Sequence, residues 1–310
     1  MRIPLLRKYI IACGLATSAC FGQTHWFTGP IVVLSGEVIP KGHINVEPFL
    51  FQFWNSGWYN EDWKRISTPT VRSTNPQLCI SRGFAQNFDV EIIPQMFFNQ
   101  SGSAQSWRMG DFPFILGFQA LWQKPGTWIP SLRITLQETF PSGQYNKFTP
   151  SKQLTQSSGA GSYQTSLGLN FQKLISFDPI HALQLYWSLT YTVPSPTHVN
   201  GLNFYGGDPK TNGTVYPGKL LQAIVSFEYN FTKHWAVACD VVNLWREADR
   251  FSGKTTVKSR RGSGYNLSLA PGIEYNVNGN LGFIFGSWLS AAGRNSFAFT
   301  SAVFAVNYYH

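Results

Sequence analysis

Twelve segments of the chain alternate apolar and polar residues with a period of two, yet the face opposite the apolar one carries almost no charge. Residues 109–143, MGDFPFILGFQALWQKPGTWIPSLRITLQETFPSG, show this most plainly. Phe112, Phe114, Leu116, Phe118, Ala120 and Trp122 share one side, and Trp128, Pro130, Leu132, Ile134 and Leu136 follow suit after the Lys124-Pro-Gly-Thr turn. A period of two marks strands with two distinct faces. In a soluble sandwich the second face meets bulk water and is rich in Lys and Glu. Here it holds Pro113, Ile115, Gly117, Gln119, Ser131, Arg133, Thr135 and Gln137. One face toward hydrocarbon and the other toward a narrow wet interior satisfies both patterns.

The segments fall at 43–54, 76–82, 88–99, 110–122, 128–140, 162–174, 181–192, 218–230, 235–245, 263–276, 280–290 and 296–309. Their connections alternate. Those at 83–87, 123–127, 176–180, 231–234 and 277–279 are tight; those at 55–75, 141–161, 193–217 and 246–262 are long, with 100–109 intermediate and 291–295 short. A bacterial outer-membrane barrel has this order, because its periplasmic turns are short, its extracellular loops long and its strand number even. No stretch after Gln23 supplies the ~20 consecutive apolar residues of a membrane helix. The prediction is an all-β fold: a transmembrane antiparallel up-and-down β-barrel of about 12 strands over residues 43–310.

The ends agree with export. Residues 1–22 combine Arg2, Arg7 and Lys8 with an apolar run and small residues, the layout of a secretory signal peptide. Thr17-Ser18-Ala19-Cys20 offers a weaker rival reading, a lipobox with Cys20 lipidated. Residues 23–42, with Ile31-Val-Val-Leu34 and Pro40, form either a periplasmic segment or a plug that enters the lumen. Charged residues make up only 13% of the chain and aromatics 16%, against about 25% charged in soluble domains. The aromatics gather at strand tips: Trp122, Trp128, Tyr229, Trp235 and Tyr275 beside tight turns, Tyr163, Tyr191, Trp245 and Tyr265 beside long loops. Such girdles mark the two headgroup levels.

Without the three cations of the signal peptide, 21 basic residues face 15 acidic ones, a net charge of +6. The cations show no nucleic-acid-binding pattern, and nucleic acid is not an expected partner. They concentrate instead in the loop READRFSGKTTVKSRRG, where Arg246, Arg250, Lys254, Lys258, Arg260 and Arg261 are candidates for contact with lipopolysaccharide phosphates. On the luminal parity lie Glu47, Asp89, Glu91, Glu228, Asp240 and Glu274, with Arg133 as the inward cation. A carboxylate ring in a narrow pore favours cations; strand-end carboxylates solvated at the rim are the plainer alternative. Cys79 falls on the luminal parity and Cys239 on the lipid parity, so a disulfide is not expected. No His-x-x-x-His or Cys-x-x-Cys spacing suggests a metal, no cofactor is implied, and Ser195 with His198 is the one weak hint of catalysis. The expectation is no enzyme. The chain ends Asn307-Tyr-Tyr-His310, a departure from the terminal Phe typical of barrel-assembly signals, and Tyr308 or Tyr309 is expected to serve that role with His310 as an extension.

Five motifs carry a family resemblance. VIPKGHINVEPFLFQF at 38–53, RGFAQNFDVEI at 82–92, MGDFPFILGFQALW at 109–122, RITLQETFPSG at 133–143 and YNFTKHWAVACDV at 229–241 resemble the outer-membrane transporters associated with the meta-pathway of phenol degradation. The resemblance implies a barrel of roughly twelve strands and passage of small, often hydrophobic molecules. It carries over no binding residue. The expected function is an outer-membrane channel of a Gram-negative bacterium for small solutes, hydrophobic or aromatic ones among them. The alternative is a closed surface barrel that binds lipopolysaccharide or host ligands through its basic loops.

Overall fold

A computed structural model describes residues 25–255 and 262–310. The expected signal peptide at 1–22 and the loop cations Lys258, Arg260 and Arg261 lie outside the described residues.

The chain opens with β1 (Ile44–Tyr59) and β2 (Arg65–Ala85), followed by β3 (Phe88–Ile92), β4 (Met96–Ser101), β5 (Ala104–Met109) and β6 (Phe112–Leu121). Next come β7 (Ser131–Phe140), one 3-10 turn at Gln153–Gln156, β8 (Gln164–Ser176), β9 (Ala182–Pro194), β10 (Thr197–Asn200) and β11 (Asn212–Tyr216). The remainder is β12 (Leu220–Asn230), β13 (Trp235–Arg246), β14 (Arg250–Lys254), β15 (Gly264–Asn276), β16 (Leu281–Gly286), β17 (Leu289–Arg294) and β18 (Ser296–Tyr309). Fifteen of these strands form one antiparallel sheet, and β1 pairs with both β2 and β18, so the sheet closes on itself. The sheet has twelve staves because β3 with β4, β5 with β6 and β16 with β17 are each one stave broken once. Closure is what the solvent demands, since an open edge in hydrocarbon leaves backbone N–H and C=O groups unpaired. β10, β11 and β14 form a separate three-stranded sheet from the long connections.

Burial runs opposite to that of a soluble protein. Leu136 is 52% exposed and Leu167 55%, whereas Ser131 and Asn170 are 0%. Alternation along each strand therefore sends aliphatic and aromatic side chains to the lipid and amides and hydroxyls to the interior. Trp122, Tyr163, Tyr191, Trp235 and Trp245 are all exposed at the strand tips.

Three boundaries differ from the sequence reading. Residues 55–75 are not a long loop: β1 and β2 pair from Ile44↔Arg82 to Tyr59↔Arg65. Arg65 to Thr70 are exposed without alternation, because this part of the hairpin rises above the hydrocarbon and meets water on both faces. The same holds at 100–109, which is the β4–β5 hairpin turning at Gly102, whose φ of 56° suits glycine. Trp128 stands in the 122–130 connection rather than in a strand, 85% exposed.

The periplasmic turn between β8 and β9 is an Asx turn. Asp178 Oδ1 accepts the backbone N–H groups of Ile180 and His181 at 2.8 Å each, and Oδ2 lies 2.7 Å from His181 Nδ1. The His181 amide, then that of Ile180, holds the Asp178 carboxyl at a pKa of about 2, below its ordinary 3.8. A carboxyl lowered in the folded state stabilises it above the unfolded pKa and loses that contribution as pH falls through the folded value. The turn is therefore expected to keep its full contribution above pH 3.8 and lose it toward pH 2. A carboxyl-carbon NMR titration should place the Asp178 midpoint near 2; an ordinary midpoint would contradict the turn geometry.

Candidate functional site

The interior of the barrel is crossed by residues 25–42, which have almost no regular structure of their own. This strap enters at the periplasmic rim, where His25 Nε2 lies 2.7 Å from the Asp178 carbonyl and Asn230 Nδ2 donates to the Trp26 carbonyl at 2.9 Å. It leaves at the same rim, where the Gly42 N–H donates to the Gly83 carbonyl. Between those points its main-chain amides are taken up by side chains of the wall. Thr28 donates to Glu274 at 2.8 Å, Gly29 to Glu228 at 2.9 Å, Ile31 and Val32 to Asp240 Oδ2 at 3.0 and 3.1 Å, and Val33 to Asp240 Oδ1 at 3.3 Å. Farther along, Gly36 donates to Gln172 at 2.9 Å, Val38 to Gln119 at 2.7 Å and Ile39 to Asp89 at 3.0 Å. The acceptors come from β15, β12, β13, β8, β6 and β3, so the strap spans the barrel from one side to the other. An irregular segment inside a barrel needs such partners, since a buried amide without one costs about 1–3 kcal/mol.

Shape complements the hydrogen bonds. Ile31 packs among Phe51, Ala238, Ala270, Ile284, Val303 and Ala305, and Val33 among Tyr186, Ile224 and Val242. The small alanines leave room for the strap on an otherwise crowded wall. Burying each such aliphatic side chain contributes roughly 1.5–3 kcal/mol. At Gly36 a Cβ would collide with the Gln172 and Phe171 backbone, so only glycine brings the strap this close.

The luminal carboxylates of the sequence reading occupy this contact surface. Asp89, Glu228, Asp240 and Glu274 are fully buried or nearly so and meet strap amides rather than an open aqueous path. The Tyr186 hydroxyl donates to the second oxygen of Glu228. Asn307 Nδ2 donates to Glu47 and also, at 3.1 Å, to the Thr28 carbonyl. Arg133 sits 2.9 Å from Asp89 and 3.6 Å from Glu91, itself only 2% exposed. A buried guanidinium bonded to Asp89 through both Nε and Nη2 neutralises a carboxylate that could not be left bare at this depth.

Above the strap stands a feature the parity rule missed. Phe49, Phe51 and Phe53 of β1 all lie on the luminal parity, their rings stacked at 5.6 Å between successive centroids. Trp288 meets Phe51 at 6.5 Å, Phe53 at 6.0 Å and Phe299 at 5.4 Å, edge to face, while its indole N–H donates to luminal Ser268. The signal was present in FLFQFW, where aromatic or aliphatic residues fall on both parities, the mark of a strand apolar on both faces.

The extracellular loops clasp one another. Asp111 accepts the amides of Gly143 and Ala160, and Asn99 from the inner face of β4 donates to the Thr155 carbonyl at 3.0 Å. The β10–β11–β14 sheet buries Val199, Tyr205 and Val215 against Tyr145, Phe204 and Phe251. Of the basic loop, Arg246 pairs with Asp249 at 3.5 Å and donates to the Gly262 carbonyl, while exposed Arg250 stacks over Tyr216 at 5.6 Å and Lys254 is exposed. Ser195 Oγ accepts the Tyr163 amide, as a turn cap does, and His198 belongs to β10 opposite Thr214. Cys79 and Cys239 are free thiols.

The family described as "Putative MetA-pathway of phenol degradation" matches residues 94–305. None of the curated protein sequences matches the chain. Among solved structures, an outer-membrane channel from Pseudomonas putida F1 aligns with a TM-score of 0.70 at 11% identity, over 90% of this chain and all (100%) of its own. The translocator domain of the autotransporter NalP from Neisseria meningitidis aligns at a TM-score of 0.48 and 12% identity, over 86% of this chain and 88% of its own. The first likeness places the fold among outer-membrane barrels; the second is more distant.

Proposed function

Since the chain belongs to this MetA-pathway family, whose pattern spans residues 94–305, we propose that it is an outer-membrane channel for small solutes, hydrophobic and aromatic ones among them. The observation that carries this reading is the ladder of Phe49, Phe51 and Phe53 with Trp288 and Phe299, continuous with the apolar cluster of Ile31, Ile284 and Val303, in a lumen whose remaining lining is largely amides, hydroxyls and carboxylates. A flat apolar solute gains about 0.5–1.5 kcal/mol from each aromatic contact beyond the area it buries, whereas a hydrated anion meets only the negative faces of the rings there. The strap closes the periplasmic end at rest and shifts to let solute pass. Outer-membrane lipid surrounds the barrel, and exposed Arg250 and Lys254 meet lipopolysaccharide phosphates. No catalytic step is part of this function.

Purified protein in planar bilayers and in vesicles containing lipopolysaccharide tests the reading. The unaltered protein should accelerate entry of a small aromatic such as indole, and the double variant Phe51→Ala, Phe53→Ala should slow that entry by about fivefold, in line with two lost aromatic contacts, with ion conductance kept. Absence of both solute flux and conductance would favour the second reading, a closed barrel that binds lipopolysaccharide through Arg250 and Lys254.

A further inference from the structure

β2 carries two arginines on its lipid-facing parity. Ser73 and Asn75 point inward and are buried, whereas Arg72 and Arg82 are exposed, with uncharged Thr74, Pro76, Leu78 and Ile80 between them on the same face. A strand rises about 3.4 Å per residue, so the two stand about 34 Å apart along β2 and, at a barrel tilt near 40°, about 26 Å apart along the membrane normal. That is the height of the hydrocarbon band. Arg72 lies just below the Arg65 to Thr70 stretch that rises into water, and Arg82 marks the opposite headgroup level, shortly before the tight turn at Gln86 and Asn87.

Arg82 lacks what other cations of the wall have. Lys173, also near a periplasmic turn, is buried and donates from Nζ to the Lys124 and Ile129 carbonyls at 3.1 Å each. Arg82 has no carbonyl or carboxylate partner among the described residues. The carboxylates of the adjoining strands, Glu47, Asp89 and Glu91, are engaged in the lumen by Asn307, the Ile39 amide and Arg133. On the outside Arg82 stands between Ile44 and Val90, and one step nearer the mid-plane Ile80 stands between Val46 and Ile92. Toward the periplasm Phe84 and Phe88 are exposed, their ring centroids 6.0 Å apart, and they separate the guanidinium from bulk water.

A second cation is brought to the same place by the exit of the strap. His43 N–H donates to the Pro40 carbonyl at 3.0 Å, which puts exposed Lys41 at a corner of the turn, and Gly42 N–H donates at 2.9 Å to the carbonyl of Gly83, the residue after Arg82. A Cβ at Gly83 would lie 2.2 Å from the Ile39 and Pro40 carbonyl oxygens, so glycine lets the turn approach this closely. We propose that Arg82 and Lys41 form a binding site for the phosphate of an anionic phospholipid in the periplasmic leaflet, with an acyl chain laid against Ile80, Val90 and Ile92. The guanidinium fork matches two phosphate oxygens and the ammonium adds a point charge. A zwitterionic headgroup fits less well, because its own ammonium meets two cations and no outward carboxylate.

The site requires only that the barrel lie in a membrane, so it holds whether or not the barrel conducts. Native mass spectrometry of the full barrel released from detergent, titrated with phosphatidylglycerol or phosphatidylethanolamine of equal chain length, tests it. The parent should retain one phosphatidylglycerol with an affinity about tenfold or more above that for phosphatidylethanolamine, as two cations near a phosphate imply. Arg82→Gln with Lys41→Gln should abolish the preference, while Lys124→Gln with Lys210→Gln, which removes the same charge from two other exposed positions, keeps it. Excess inorganic phosphate should leave the lipid in place. Gel-mobility shift on heating checks that each variant is folded. Equal retention of both lipids by the parent, a preference that survives the first pair of substitutions or falls equally with the second, or displacement of the lipid by inorganic phosphate overturns the site.

Discussion

Asp240→Ala is expected to turn a barrel that conducts in rare, brief openings into one that stays open for much of the recording. Asp240 accepts three consecutive strap amides, from Ile31, Val32 and Val33, where Ile31 and Val33 are buried against the wall. Bonds to an ionised acceptor contribute about 1.5–3 kcal/mol each, and water entering the vacated site returns part of that. A net loss near 3 kcal/mol shifts the balance between seated and displaced strap by about a hundredfold. Asp240→Asn keeps an acceptor oxygen for part of the set and should fall between the two. Open-state occupancy in single-channel recordings is the readout. An Asp240→Ala barrel that opens no more often than the parent would mean that the strap does not obstruct the path.

Arg133→Met is expected to act on stability rather than on opening. Its loss leaves Asp89 and Glu91 without a cation in a site where all three side chains are at most 9% exposed. Removing one partner from a buried pair costs about 3–5 kcal/mol, which corresponds to a fall of roughly 10 °C in the unfolding midpoint of a chain this long. The midpoint can be followed by the gel-mobility shift between folded and heat-denatured barrel. Adding Asp89→Asn should restore part of the loss, since the amide oxygen still accepts the Ile39 N–H while the charge is gone. A single Arg133→Met variant that unfolds within a degree or two of the parent would remove the ion pair from the list of things that hold this end of the barrel.

Much of the architecture is readable from residues alone, and the reason is solvent. Wherever a strand is in the bilayer, its two faces meet opposite media, and the parity of Leu167, Leu169 and Phe171 against Ser166, Asn170 and Gln172 states the result directly. Where the same strands rise into water, as at Arg65 to Thr70, the contrast disappears and strand reads as loop. The stave broken between β3 and β4 reads as one segment, 88–99, for a related cause: at Ile93-Pro94-Gln95 the chain keeps close pairing through Leu78 N–H to the Pro94 carbonyl and Ile93 N–H to the Pro113 carbonyl. Inward placement of Glu228, Asp240 and Glu274 follows from parity, but what they hold does not. Their partners are peptide groups of the strap, and a peptide group has no letter in the sequence.

That choice of partner leaves its trace in where proline occurs. A wall that grips peptide N–H groups is indifferent to side-chain identity at those bonds, so outside the packed Ile31 and Val33 and the close approach at Gly36 the segment is free to change its side chains. The exception is the one residue without such a hydrogen. Pro30 and Pro40 occupy the gaps in the series, between Gly29 and Ile31 and just after Ile39, where the wall asks for no donor.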